Sequence, residues 1–305
     1  MAHAPKVGLA LGSGASRGWS HIGVIDALVA GGIEPDIVCG TSVGAMTGAA
    51  YVAGNLDPLR EWVLGLNRSD VYRFLDIKFS QTGFVDVERL DQFIHKYVVD
   101  ARTQIDDLPK PFLAVATCLN TGQEVWSRGG NVAYWVRASM SMPGLFPPVF
   151  DNDRWLVDGG LVNPVPVAAC RALGADIVIA VNLNADIVGK HLKDARVASA
   201  EEEAGLVRYL KQQAKEYSGA LFSSSKPDVP PPGLMSVVSS AINIFQDRIT
   251  RSRMAGDPPD FMISPHLSDV GLLEFGKAAE AMETGRECVE RVLPDIRRRM
   301  AMLER

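Results

Sequence analysis

Three short stretches of the chain carry residue types that could do acyl chemistry. In "VCGTSVGAM" (38–46), Ser42 stands between Gly40 and Gly44 in the pattern Gly-x-Ser-x-Gly. Where such a serine ends a strand and opens a helix, its hydroxyl is exposed above the sheet and can act as a nucleophile, with the flanking glycines relieving crowding. In "RWLVDGG" (154–160), Asp158 closes a strand, and Gly159 and Gly160 keep the space around it open. A carboxylate there could take the serine proton directly. Each stretch also has a plainer reading: a tight strand-to-helix turn for Ser42, and an ordinary Asp-Gly β-turn for Asp158.

The third stretch, Gly12-Ser13-Gly14-Ala15-Ser16-Arg17-Gly18, follows a strand and opens a helix. Exposed amides at such a turn suit an anion. A dinucleotide pyrophosphate is one candidate, but that site expects an acidic residue after the second strand to hold the ribose. Here Glu34 and Asp36 precede the second strand, and glycine, threonine and serine follow it. The oxyanion of an acyl-transfer intermediate uses the same amides, and a turn with no ligand is the third option. A serine nucleophile ordinarily relies on a histidine. Of the five histidines, His191 and His266 lie in the required order after a central acid. His191 falls in a polar stretch, His266 follows the last strand and stays open, His21 and His95 read as helix-packing residues, and His3 is terminal.

These residues need a scaffold. "KVGLALGSG" and "DIVCG" read as buried strands. "SHIGVIDALVAGG", with Ile22, Ile25, Leu28 and Val29 at helical spacing, and "SVGAMTGAAYVAG" read as the helices that follow them. Strand–helix alternation implies a mainly parallel sheet covered on both faces, a three-layer α/β/α arrangement. Both glycine turns then share the carboxyl edge of the sheet, where open α/β sheets bind ligands. Further strands are expected at 112–120, 123–128, 154–160, 175–183 and 260–265, and helices at 57–66, 87–98, 130–141, 164–173 and 275–300. The chain is expected to form a single domain over 1–305. Residues 184–235, polar and then Ser- and Pro-rich, read as a mobile insertion within it. After it, Leu234, Val237, Val238, Ala241, Ile242, Phe245 and Ile249 form one apolar helical face, expected to pack on the core. Arg248, Arg251 and Arg253 at its end suggest a lid or membrane-facing helix instead. The triplet Arg297–Arg299 is expected to be a solvated helix end.

Composition sets bounds. The 305 residues are 47% apolar and 22% charged, with a net charge of −5, which is globular and argues against a dedicated nucleic-acid binder. Cys39, Cys118, Cys170 and Cys288 lack metal or disulfide spacing and read as buried free thiols. Neither a signal peptide nor a membrane span is expected, so the predicted location is cytoplasmic.

The Gly-rich loop with its arginine, the Gly-x-Ser-x-Gly turn and the Asp-Gly-Gly turn, in that order, resemble the patatin-like phospholipase family. "RGWSHIGVI", "RASMSMPGLFPPV", "VDGGLVNPVPV" and "ALGADIVIAVNL" extend the likeness, and "RMAGDPPDFMISP" resembles the stand-alone bacterial RssA-type branch. The resemblance implies a carboxylic ester hydrolase of lipids that needs neither metal nor cofactor. It implies Ser42 as nucleophile, Asp158 as general base, and the amides of Gly12, Gly14 and Ala15 as oxyanion donors. Arg17 matches the family's basic loop residue, either fixing the loop or facing an anionic head group. Ser13 departs from the commoner Gly-Gly-Gly start. Lipid substrates imply an acyl site, for which 71–84 and 234–249 offer apolar residues, and leave room for peripheral contact with the inner membrane surface. The oligomeric state is left open. An acyltransferase or thioesterase would use the same residues, and a regulatory or scaffold protein could retain the fold.

Overall fold

In the computed structural model, described for residues 5–66, 87–186, 234–271 and 274–303, the continuous apolar runs become strands and the 3.6-periodic runs become helices. The order is β1 (Val7–Leu11), α1 (Ser20–Ala30), β2 (Ile37–Thr41), α2 (Val43–Val52), α3 (Leu56–Leu64) and α4 (Val87–Tyr97). Next come β3 (Phe112–Cys118), β4 (Glu124–Trp126), α5 (Val132–Ser139), β5 (Val149–Asp151), β6 (Arg154–Asp158) and α6 (Val167–Ala172). The chain continues through β7 (Ile177–Val181), α7 (Leu234–Gly256), β8 (Phe261–Ile263) and α8 (Ala278–Leu303). The expected strands and helices all form, each with shorter or shifted ends. The expected insertion lies, for residues 187–233, outside the described residues, as does the 71–84 stretch.

The sheet order is β5-β6-β3-β2-β1-β7-β8, with β4 also on β3. Strands β3, β2, β1, β7 and β8 are parallel; β4, β5 and β6 form an antiparallel margin. Strands β1, β2 and β7 are buried along their whole length, as a parallel sheet covered on both faces requires. Leu9 and Leu11 of β1 join a core with α1 to α4 and α8, while Ala10 faces the other way, toward α6 and Met254 of α7. The pleat thus sorts one strand between two cores, and the three-layer expectation holds.

The margin was not foreseen. Strand β5 forms with β6 a hairpin whose two turn residues, Asn152 and Asp153, both have positive φ. Asn and Asp tolerate that conformation, and such turns match the twist of paired strands. Strand β3 explains the margin. Its first half, Phe112 to Val115, pairs with β2. Its second half runs beyond the end of β2 and is flanked by β4 and β6.

Arg297 does not end free in solvent: its Nε donates to Gly31 O (3.0 Å) at the carbonyl end of α1, a favourable place for a cation. The four cysteines are buried free thiols, as expected. Helices α1 and α8 approach closely, with Gly23 against the Met282 carbonyl and Gly285 against that of Ser20. A methyl group at either glycine would overlap backbone atoms. Gly23→Ala should therefore cost about 1–3 kcal/mol or more through overpacking and lower the melting temperature, whereas Gly256→Ala, with open space at its Cβ position, should not. Equal melting temperatures in the two variants would refute this packing account.

Candidate active site

Ser42 is the residue between β2 and α2, with φ 57° and ψ −124°. Left-handed backbone at a non-glycine residue is strained, and the surroundings hold it there. Gly44 lies so close to the Leu11 carbonyl that no larger residue fits, and Gly40 lies equally close to the backbone of Ala45. The Ser42 N–H donates to Ser139 Oγ (2.8 Å), which itself donates to Val115 O (2.5 Å). Asp158 N–H donates to Ser141 O (2.9 Å). The exit of α5 therefore grips both Ser42 and Asp158 by their backbone amides.

The β3 overshoot brings the two side chains together. Thr41 pairs with Val115, and Asp158 pairs with Ala116. Strand β4 pairs with both Val115 and Ala116 on the other side of β3, so β2 and β6 lie on one side of it, end to end, and Ser42, one residue past Thr41, meets Asp158 where the two strands abut. Across that junction Ser42 Oγ donates to Asp158 Oδ2 at 2.6 Å. Asp158 Oδ1 accepts from Gly160 N–H (2.7 Å), and Thr117 Oγ1 donates to the Asp158 carbonyl (2.8 Å). Gly159 packs against the Val115 carbonyl with no space for a side chain. Both Ser42 and Asp158 are buried. Burial pushes the Asp158 carboxyl up to about 6, against the opposing pull of the Ser42 and Gly160 hydrogen bonds.

The glycine loop lies alongside, at the carboxyl ends of β1 and β7. Here one expectation is corrected. Gly12 N–H donates to Val181 O (3.1 Å) and Ser13 N–H to Pro164 O (2.8 Å), so the Gly12 amide is spent on extending the sheet. Gly14 and Ala15 N–H have no protein acceptor among the described residues, and Ala15, at φ 48°, is held in a strained turn. His21 supports the loop from beneath. Its Nε2 donates to Gly12 O (2.8 Å), and burial pulls its ring down to about 4, so it is neutral. This is the packing role expected of it.

Arg17 is fully buried and fixes the loop rather than facing a ligand. Nε donates to Gly14 O (3.2 Å), and Nη2 to Asn184 Oδ1 (3.0 Å) and Asn243 Oδ1 (3.1 Å). Burial lowers its pKa to about 10, partly offset by Asp186; the side chain stays charged. Asn184 Nδ2 donates in turn to Gln246 Oε1 (3.0 Å). Helix α7 thus turns its polar side inward: Asn243, Gln246, Asp247 and Thr250 are buried, while Val237, Val238, Ile244 and Phe245 are exposed. This reverses the expected packing of the apolar face. The surface that α7 covers is a polar one, built on Arg17 and Asn184, and it demands amides rather than methyl groups.

No histidine among the described residues bonds to Ser42. His266 lies 3.7 Å from Asp186 and is exposed, and His95 is exposed on α4; His3 and His191 fall outside the described residues. A pocket opens at Ser42 between the loop and α2, α3 and α4. Trp19, Met46, Trp62, Phe93 and Met142 contribute to it, and among the described residues every lining side chain but Ser42 is apolar. The 234–249 segment, expected to line an acyl site, does not. No cluster of metal-ligating side chains occurs among the described residues. Chemically, the arrangement offers a hydroxyl hydrogen-bonded to a carboxylate of raised basicity, two free amides nearby, and an apolar slot. Sequence reasoning missed Ser139, Asn184, Asn243 and Gln246. The serine in "RASMSMPG" was in view but had no visible partner.

Comparison with known proteins adds to this geometry. Residues 9–171 match the family model described as patatin-like phospholipase. An "uncharacterized NTE family protein" of Mycobacterium tuberculosis is 32% identical, covering 95% of this chain and 91% of its own. "Lysophospholipase NTE1" of Pyricularia oryzae is 31% identical over 92% of this chain, which spans only 18% of that longer protein. The crystal structure of VipD from Legionella pneumophila overlaps with a TM-score of 0.44 at 13% identity, covering 96% of this chain and 67% of that one. That overlap is too slight to inform the site.

The raised Asp158 pKa has a consequence for stability. A carboxyl whose folded pKa lies above its unfolded value of 3.8 gives stability that is full below that value and lost as pH rises through about 6. Asp158→Asn, neutral throughout, should therefore be more stable than the parent at pH 8, by up to roughly 3 kcal/mol, and the difference should shrink toward pH 5. Denaturant titrations at the two pH values test this; a variant less stable at pH 8 would contradict it.

Proposed function

The chain belongs to the patatin-like phospholipase family, and from that premise we propose that it is a serine acyl-ester hydrolase that cleaves fatty-acyl esters of lipids through Ser42 and Asp158. One observation carries the reading: the 2.6 Å hydrogen bond from Ser42 Oγ to Asp158 Oδ2, with Ser42 lining an apolar pocket. The names of the relatives, which include lysophospholipases, point the same way.

In this reading the acyl chain occupies the pocket and the ester carbonyl lies over Ser42. Ser42 Oγ attacks the carbonyl carbon as its proton passes to Asp158 Oδ2. The carbonyl π electrons move to oxygen, and the resulting oxyanion is held by Gly14 and Ala15 N–H. Such preorganised donors are commonly worth 10²–10³-fold in rate. The tetrahedral intermediate collapses, the C–O bond to the alcohol breaks, and protonated Asp158 returns the proton to the departing oxygen. Water then repeats the sequence on the acyl-enzyme, with Asp158 again as base, and releases the fatty acid.

An aspartate is a weak base beside histidine. Raising it from 3.8 to about 6 adds roughly 3 kcal/mol of proton affinity. Burial supplies that gain, and it brings the carboxylate close to the range in which general bases work at neutral pH.

Ser42→Ala should abolish hydrolysis of both a soluble short-chain ester and a lysophospholipid, together with covalent labelling by a fluorophosphonate; retained activity would sink the proposal. For the parent, kcat/KM on the soluble ester should rise with pH through about 6, where the Asp158 carboxyl ionises, and then level off. A rise centred near 4 would mean that burial does not raise the Asp158 carboxyl, and full activity in Asp158→Asn would mean that Asp158 is not the base. Loss of the whole profile on replacing His191 or His266 would assign the base to a histidine instead.

A further inference from the structure

Among the described residues, two groups of exposed apolar side chains stand at the edge of the sheet that carries Ser42; others, Val29, Leu64, Met302 and Leu303, are scattered elsewhere. Helix α7 forms one group. Its Asn243 and Gln246 bond to residues of the loops beyond β1 and β7, and Met254 packs on the opposite face of the sheet beside α6. The helix therefore rises from that face toward the Ser42 edge in the direction of its own N-terminus. Val238 precedes Asn243 by five residues, about 7 Å along the helix, and so stands beyond the loops. Val237, Val238, Ile244 and Phe245 are 48%, 40%, 44% and 62% exposed.

The antiparallel margin forms the second group. Strand β3 overruns β2, so the β5–β6 hairpin turn projects past the same edge. Phe150 and Trp155 face each other across it with ring centroids 4.8 Å apart, and both are exposed, as is neighbouring Leu119. Neither group can turn inward. The polar side of α7 is committed to Arg17 and Asn184, and the hairpin is committed to its register.

The geometry points to a lipid surface as the partner of this edge: Phe245 and its neighbours on α7, and Phe150 and Trp155 on the hairpin, insert into a bilayer interface and set the Ser42 pocket over it. Two small, separate apolar groups are poor material for a protein interface, which usually needs a continuous patch near 800 Å² per partner. They suit a fluid surface that moulds to both, and aromatic side chains favour the water–lipid boundary. Charge agrees. Arg248, one turn from Phe245 and exposed, has no acidic partner among the described residues, and it would face lipid phosphate. Arg251 and Arg253 are occupied by Asp247 and Glu124, and Arg154 by Asp151. Exposed Asp153 at the hairpin tip opposes Arg248, so apolar insertion rather than net charge drives the contact. The inference rests on the lipid-hydrolase reading for its choice of partner, but not for its geometry.

The test is flotation of the full chain with vesicles of phosphatidylcholine and phosphatidylglycerol. The parent should rise with the vesicles. Phe245→Asp and Phe150→Asp should each lower the bound fraction severalfold, and the double variant by about tenfold or more. All should hydrolyse a soluble short-chain ester at the parental rate. A parent that stays unbound, or a double variant that floats equally well, overturns the inference. So does light scattering that shows the parent as an oligomer and the double variant as a monomer, since the patch would then join two copies of the chain. If no form hydrolyses the soluble ester, the hydrolase proposal fails while the flotation result still decides this one.

Discussion

Everything at the site depends on β3 being longer than β2. A parallel sheet of equal strands would offer Ser42 neighbours only from other loops at its carboxyl edge. By continuing past Val115, β3 gives β6 a rail to descend in the antiparallel sense, and the register brings the end of β6 against the end of β2, with Asp158 meeting Ser42. The separation of 116 positions between the two is bridged by sheet geometry instead of by a flexible loop. A hydrogen bond of 2.6 Å between buried groups needs such rigid backing, because small displacements of reacting groups are costly.

The polar groups around the site follow from the cost of leaving them unpaired. Arg17 is charged and buried, and its hydrogen bonds go to neutral oxygens: Gly14 O, Asn184 Oδ1 and Asn243 Oδ1. A carboxylate in direct contact would form a buried ion pair and cancel the positive charge behind the glycine loop. Neutral oxygens satisfy its Nε and Nη2 and leave the charge in place, with Asp186 acting on it only through its field. The same demand draws the polar side of α7 onto the loop, and the outward turn of its apolar side is the other half of one constraint. Asp158 shows the converse. Its two hydrogen bonds compensate its burial incompletely, and the residual penalty is what raises its basicity.

Much of this was legible in the amino-acid sequence because the signals were local. Gly40, Ser42 and Gly44 declare a strand-to-helix turn, and "RWLVDGG" declares a strand that ends in an aspartate. The direction of that strand was not declared, since alternation along β6 reads the same in either sense, and only pairing with β3 decides it. The Asn-Asp turn before it was a visible hairpin signal that went unread, because β5 is only three residues long. The loop invites Gly12 as an oxyanion donor. Whether an amide is free depends on which strand lies beside it, and β7 uses this one. Helix α7 misled because an apolar stripe normally marks the buried side, and that rule presumes an apolar surface beneath.

The hydroxyl of Ser139 sits where the sheet divides. It accepts from the Ser42 amide, donates to the Val115 carbonyl, and so stitches together two backbone groups at the point where β2 leaves β3. Mechanically it is a rivet through three parts: the turn that bears Ser42, the strand that carries the rail, and the last residue of α5. Two residues on, Ser141 holds the amide of Asp158. A shift of α5 would therefore move both partners together and preserve their separation, so the pair can ride on a flexing scaffold without coming apart.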